Sequence, residues 1–333
     1  MATKQHPTVI GKLAQLTRVV HESHRAPLAG YTQPPRIVSP KELGITFIGH
    51  SSFFIQIAGR NILIDPVFAR SLVVLRRQRR AGTRIADLPP IDAVLLSHAH
   101  MDHLNLPSLR RIVRHTRRLT GNTPAVIVPR GVGDLVNRLG FRQVTELEWW
   151  NSVTFDENDN VGALSQPKQS KAKKHGRSLI ITLTPCKHWG ARMFSDTHRL
   201  YGGYVLTGAG HSVYHSGDTA YFNGFHEIGQ RLQPKTALLP IGAYFPDSYR
   251  AVHTSPEEAL QAFRDLGTAT TMIPMHYGTF PLGREPMEEP PLRLMEAAEK
   301  AGIADLILIL PEGETYLKPP VRQSHEPHPQ ARS

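Results

Sequence analysis

The chain has 333 residues, 40% hydrophobic and 20% charged, with a formal net charge of +11. That length can bury an ample core, and a single cysteine, Cys186, excludes a disulfide framework and a cysteine-rich zinc module. No apolar run approaches the ~20 residues of a membrane-spanning helix, and residues 1–7 lack the apolar stretch of a secretory signal. A cytoplasmic location is expected, with peripheral contact at a membrane surface left open.

Residues 8–25 read as an amphipathic helix, because Ile10, Leu13, Leu16, Val19 and Val20 recur near helical spacing. Pro27, Pro34, Pro35 and Pro40 then mark a linker, so residues 1–43 stand apart from a main domain over 44–318. Strands are predicted at 45–48, 53–57 and 61–64, with a tight turn at Gly59. An apolar patch, Leu72 to Leu75, runs into a basic loop ending at Arg84. The β-branched and leucine-rich run 91–96 reads as a buried strand. A helix follows over 107–119, with Leu109, Ile112, Val113 and Leu119 inward and arginines crowding its other side. Later strands are predicted at 125–128, 144–149, 179–184, 204–207, 213–215, 237–239, 271–273 and 306–310. Helices are predicted at 131–139, 220–232, 256–266 and 290–301. Residues 165–177 form a low-complexity basic loop, and 319–333 a tail without apolar period. Strands then helix, twice over, predict an α/β fold of two packed sheets with helices outside.

The strongest chemical signal is Ser97-His98-Ala99-His100-Met101-Asp102-His103, directly after the buried run 91–96. A strand end alternates its side chains, so His98 and His100 can face one way, and a turn can bring Asp102 and His103 to a neighbouring point. Imidazole nitrogens and carboxylate oxygens suit zinc and other first-row divalent ions, so this one cluster can feed two adjacent metals. Elsewhere the residues alone leave alternatives open. His188 beside Trp189 also fits a core histidine, Asp218 fits a cap for a helix near Ala220, and His276 fits an ordinary buried histidine. Asp65, after an apolar strand, needs a buried partner, and a ligand histidine's second nitrogen is the expected one. Cys186, two residues from His188, reads as a packed, inert thiol.

The run His98-Ala99-His100-Met101-Asp102-His103 resembles the H-x-H-x-D-H motif of the metallo-β-lactamase-fold hydrolases. The segments Thr184-Pro185-Cys186-Lys187-His188-Trp189, Ser216-Gly217-Asp218-Thr219, Pro240-Ile241-Gly242-Ala243-Tyr244 and His276-Tyr277-Gly278-Thr279-Phe280 are similar to the branch that contains N-acyl-phosphatidylethanolamine-hydrolysing phospholipase D. The resemblance implies an αββα sandwich with the metal site at one edge. It further implies that His98, His100 and His188 hold one divalent metal, zinc being the natural candidate. Asp102, His103 and His276 would hold the other, with Asp218 between them. Asp102 would also orient an attacking metal-bound hydroxide. His253, in the matching stretch Ala251-Val252-His253-Thr254-Ser255, would assist the leaving alkoxide. Val252 stands where that family has a polar amide. His50, in Gly49-His50-Ser51-Ser52, is assigned a structural rather than a ligand role.

The implied activity is phospholipase D-type hydrolysis of N-acyl-phosphatidylethanolamine or a related phospholipid. A lactonase acting on a phosphorylated sugar lactone and a metal-dependent nuclease are the alternatives. Residues 60–130 carry thirteen arginines and four aspartates, a field that favours anionic partners. In the segment 72–84, Leu72, Val73, Val74 and Leu75 can dip into a lipid interface while Arg76, Arg77, Arg79, Arg80 and Arg84 meet headgroup phosphates. Nucleic acid is disfavoured because no aromatic-interleaved basic platform is present. A homodimer is left open.

Overall fold

The computed structural model describes residues 9–156, 161–164, 178–192 and 196–321. The basic loop 165–177 and the tail from 322 lie outside the described residues. Among the described residues, no helix is long and apolar enough to cross a membrane.

The chain enters through α1 (Val9–Arg25) and continues into three antiparallel strands, β1 (Leu43–Gly49), β2 (Ser52–Ile57) and β3 (Arg60–Ile64). Ala58 and Gly59, both at positive φ, close the β2–β3 hairpin, as a two-residue turn matched to strand twist requires. A small hairpin, β4 (Ser71–Leu72) with β5 (Leu75–Arg76), precedes β6 (Ala93–Leu95), α2 (Leu106–Thr120), β7 (Ala125–Pro129) and β8 (Gln143–Leu147). The remainder runs β9 (Ser152–Phe155), β10 (Val161–Leu164), β11 (Leu179–Thr184), β12 (Gly203–Gly208), β13 (His211–His215), α3 (Gly224–Leu232), β14 (Thr236–Pro240), α4 (Pro256–Asp265), β15 (Thr271–Met275), α5 (Glu289–Lys300) and β16 (Thr315–Lys318).

These strands form two seven-stranded mixed sheets. One has the order β16-β1-β2-β3-β6-β7-β8 and the other β10-β9-β11-β12-β13-β14-β15. Strand alternation sorts the apolar side chains into layers. Phe53, Ile55, Ile62, Ile64, Leu95 and Ile127 point between the sheets, against Val153, Ile181, Leu206, Val213, Leu238 and Ile273 of the other sheet. Their sequence neighbours Phe54, Leu63, Val94, Val126 and Val128 point outward and pack with Leu109 and Ile112 of α2. On the far face, Phe225, Leu260, Phe263 and Leu294, from α3, α4 and α5, cover Val205, Tyr214, Ala237 and Leu239. The product is the expected αββα sandwich.

Helix ends follow their local chemistry. Asn105 caps α2 by accepting from Ser108 N, and Gly121 at φ +77° ends it. Ser255 and Glu258 form a reciprocal capping box on α4. Three expectations need correction. Leu119 is 50% exposed, because His115 and Thr116 take the inward positions of the last turns and bond Leu88 O and Ile91 N. Residues 306–310 form no strand; they make a single bridge, Ile307 to Met272, while β16 pairs with β1. The helix expected over 131–139 is one short 3-10 turn, Gly133–Leu135.

The 72–84 segment is also more internally tied than its charge pattern suggests. Leu72 is buried against Val67 and Phe280, so only Val73 (77% exposed) and Val74 project as the hairpin tip. Arg77 is buried, donating to Val67 O and stacking 5.3 Å over the Phe280 ring. Arg79 pairs with Glu312, and Arg84 is bidentate on Asp87. The end of α1 docks on this hairpin: Arg76 N donates to Ser23 Oγ, and the Arg76 guanidinium donates to His24 O. The N-terminal helix therefore has a seat on the main domain.

Candidate metal centre

The site sits where β3, β6, β13 and β15 release their chains. Asp65 is the first residue after β3 and lies beside β6, with its N–H donating to Leu95 O. Ser97 to Asn105 runs from β6 to the cap of α2, closed by His103 N and Leu104 N donating to His100 O. Asp218 follows β13 and His276 immediately follows β15. His188 comes four residues after β11. His50, Asp65 and His276 have φ of +59°, +44° and +61°, a left-handed backbone that side-chain-bearing residues seldom adopt. Two of these turns are stitched together, because His276 N donates to His50 O.

The hydrogen-bond network fixes the tautomers on one side of the site. Ser97 Oγ donates its proton to Asp65 Oδ2 at 2.6 Å, so it accepts from His98 Nδ1 at 2.9 Å. His188 Nδ1 donates to Val252 O at 2.8 Å. The Nε2 atoms of His98 and His188 are thus left as lone pairs, and both face His100 Nδ1, at 2.8 and 3.3 Å. Burial pushes all three imidazoles down from their ordinary range, His188 to about 3. Three neutral nitrogens converging on one point is the donor set of a transition-metal ion. The role of Val252 here is carried by its carbonyl, which any residue supplies.

The other side is built with carboxylates. His103 Nδ1 donates to Asp65 Oδ2 at 2.7 Å, which aims Nε2 at Asp218 Oδ2, 3.1 Å away, and at Asp102 Oδ2, 3.5 Å away. His276 Nε2 lies 3.0 Å from Asp218 Oδ2 and 3.6 Å from Asp102 Oδ2. Burial opposes charge on these imidazoles, but Asp218 and Asp102 outweigh it. They raise His103 well above its ordinary value and His276 to about 9. The carboxylates themselves are held well below the usual range: burial opposes this, and the neighbouring histidines prevail. A positive charge is therefore called for between these atoms. Asp218 Oδ1 and both ring nitrogens of His276 are buried without a hydrogen-bond partner. The residues present fit divalent metal ions.

All seven expected ligand residues are gathered in one hollow, and their ligand atoms fall into overlapping groups, each within 4.8 Å. Asp218 Oδ2 is the shared atom, 3.9 and 4.0 Å from the Nε2 atoms of His98 and His188 as well. Asp218 caps no helix, since α3 starts only at Gly224. Asp65 takes the supporting position expected of it. His253 lies at the rim, 17% exposed, with Nε2 3.7 Å from Asp218 Oδ2. Cys186 is buried with its thiol pushed well up by that burial, and it belongs to none of the donor groups.

His50, assigned a structural rather than a ligand role from the sequence, has a partner in the site that sequence reasoning did not identify. Its Nε2 lies 2.9 Å from Asp102 Oδ2, and its ring packs 4.2 Å from that of His276. Burial first, then His276, pushes it down to about 4, so it is neutral and can donate to Asp102. The available signal was a histidine in a turn straight after the strand 45–48, the same strand-end placement the ligands share.

The profile of the Beta-lactamase superfamily domain matches residues 60–277. An uncharacterized protein of Mycobacterium tuberculosis is 32% identical over 270 residues, which are 77% of this chain and 64% of that protein. The N-acyl-phosphatidylethanolamine-hydrolyzing phospholipase D, mitochondrial, of Saccharomyces cerevisiae is also 32% identical over 270 residues, 78% of this chain and 53% of the yeast protein. The chain thus spans between half and two thirds of the length of these curated relatives. Among solved structures, Igni18, a metallo hydrolase of Ignicoccus hospitalis, is 26% identical with a TM-score of 0.59, covering 83% of this chain and 98% of Igni18. The chain belongs to the β-lactamase superfamily.

Proposed function

We propose that this superfamily member is a dinuclear metal-dependent hydrolase of phosphodiesters. Its substrate would be N-acyl-phosphatidylethanolamine or a related phospholipid, cleaved to phosphatidate and an amide-bearing alcohol. The observation that carries the reading is the pair of donor sets meeting at Asp218 Oδ2. His98, His100 and His188 would hold one cation, and Asp102, His103 and His276 the other, with Asp218 shared. When bound, such a pair supplies Lewis-acid chemistry, neutralising phosphoryl oxygens and making water acidic enough to attack near neutral pH.

The chain's own residues do the rest. Ser97 and Asp65 lock the rings of His98 and His103, so the donors need no rearrangement. Asp102, steadied by His50, offers a carboxylate oxygen to orient the attacking water. His253 stands on the accessible side, able to give a proton or hydrogen bond to the departing alkoxide. The name of the yeast relative supports the substrate class.

Incubation of zinc-loaded protein with N-acyl-phosphatidylethanolamine in mixed micelles, read by product mass, tests the reading. Phosphatidate and the N-acylated amino alcohol are expected, and His100→Ala should reduce them to background. Equal product from wild type and His100→Ala, or none from either, would remove this substrate.

A further inference from the structure

A second, separate cavity opens at the base of the β4–β5 hairpin, with a volume of about 200 Å³. Arg70, Arg76, Arg77, Arg80, Arg84 and Arg111 line it, and no acidic residue does. Arg84 is balanced by Asp87, which is not part of the lining. Arg70, Arg80 and Arg111 are exposed and meet no carboxylate among the described residues. None of the lining residues belongs to the donor groups of the metal centre.

The uncompensated positive charge of the lining, with buried polar atoms beneath it, points to an anionic occupant. Arg77, only 4% exposed, has no carboxylate within ion-pair distance among the described residues, and its Nε has no hydrogen-bond partner. The carboxylate that acts on Arg77, Glu312, is bonded to Arg79 instead, and burial outweighs it and pulls Arg77 down to about 10. Thr83 is 1% exposed, and its Oγ1 is likewise unpartnered. An oxyanion in the cavity would be held by the surrounding guanidiniums, whose planar forks match phosphate oxygens. The volume is below the ~300–1,000 Å³ of pockets that enclose drug-sized ligands, which suits a small anionic group.

We propose that this cavity is a binding site for a phosphate group, distinct from the metal centre and independent of what that centre hydrolyses. The phosphate has two possible bearers, a free phosphate compound or an anionic lipid headgroup. The projecting Val73 and Val74 give the second a place to anchor its chains.

Calorimetric titration of the full chain with inorganic phosphate and with glycerol 3-phosphate tests the site, and co-sedimentation with phosphatidate-containing vesicles separates the sources. Arg80→Ala combined with Arg111→Ala removes two exposed charges and should leave the fold intact. It is expected to weaken phosphate binding at least ~10-fold, as loss of charge-assisted bonds does. His100→Ala, which damages only the metal centre, should leave this binding in place, so phosphate held by bound metal is told apart. Vesicle capture that needs both the arginines and Val73 and Val74 assigns the lipid source; binding of the soluble probes alone assigns the free one. Unchanged binding in the arginine variant, or no binding of either soluble probe or of vesicles by wild type, overturns the proposal.

Discussion

The two halves of the metal centre use the same side chain to opposite electrostatic ends. In the set of His98, His100 and His188, imidazoles meet imidazoles, and burial drives protons off. In the set of Asp102, His103 and His276, the carboxylates of Asp102 and Asp218 reverse that outcome and hold protons on. The environment, rather than the residue type, decides whether a buried histidine is a neutral donor or a charged one. The carboxylate set therefore carries the negative charge that favours a dication, while the imidazole set offers only lone pairs.

Asp218 is where the contrast should break most completely. Asp218→Asn removes the charge facing both sets, so both cations should be lost on dialysis. The drop in affinity should exceed the ~10–100-fold typical of a change outside the ligand sphere, with hydrolysis falling alongside. Metal content by mass spectrometry checks this, and retention of both cations would show that Asp218 is not shared. His50→Ala should sharpen the contrast, because His50 touches Asp102 and none of the imidazole set. One cation should weaken by ~10–100-fold and the other hold; equal weakening of both would argue against separate sets. The smallest effect is in pH. With its value at about 9 against an ordinary 6.5, His276 stabilises the metal-free fold fully below pH 6.5, and this contribution fades as pH rises through about 9. A cation must displace that proton. Affinity at the carboxylate set, where His276 and His103 both hold a proton, should accordingly climb by ~10- to ~100-fold per pH unit from 6.5 to 9, while the imidazole set stays flat. Chelator competition across that range reads both, and parallel slopes would erase the distinction.

Much of this was legible before folding, and the reasons are specific. The dense apolar runs 53–57 and 61–64 flanking a turn at Gly59 were enough to predict strands, and their pleat then divides Phe53 from Phe54 and Ile62 from Leu63 between two cores. The histidine cluster was visible because four of its donors lie within six residues. Asp65 was visible because a carboxylate after an apolar strand must find a donor. His50 was not, because its bond to Asp102 spans 52 residues and has no local signature. Nor were β9, β10 and β16, strands of four residues, too short to carry a readable period. Arg77 and Arg79 looked like surface charges because composition cannot reveal the Val67 carbonyl, the Phe280 ring and the Glu312 carboxylate that draw them inward.

The left-handed turns at His50, Asp65 and His276 set terms for how this hollow can diverge. Each such backbone costs roughly 1–3 kcal/mol, which the packed sheets must offset. A β-branched replacement at any of the three would add steric strain to the lost function. Glycine, and to a lesser degree asparagine, aspartate or histidine, could enter with little of it. Drift at these positions is thus channelled through very few residue types.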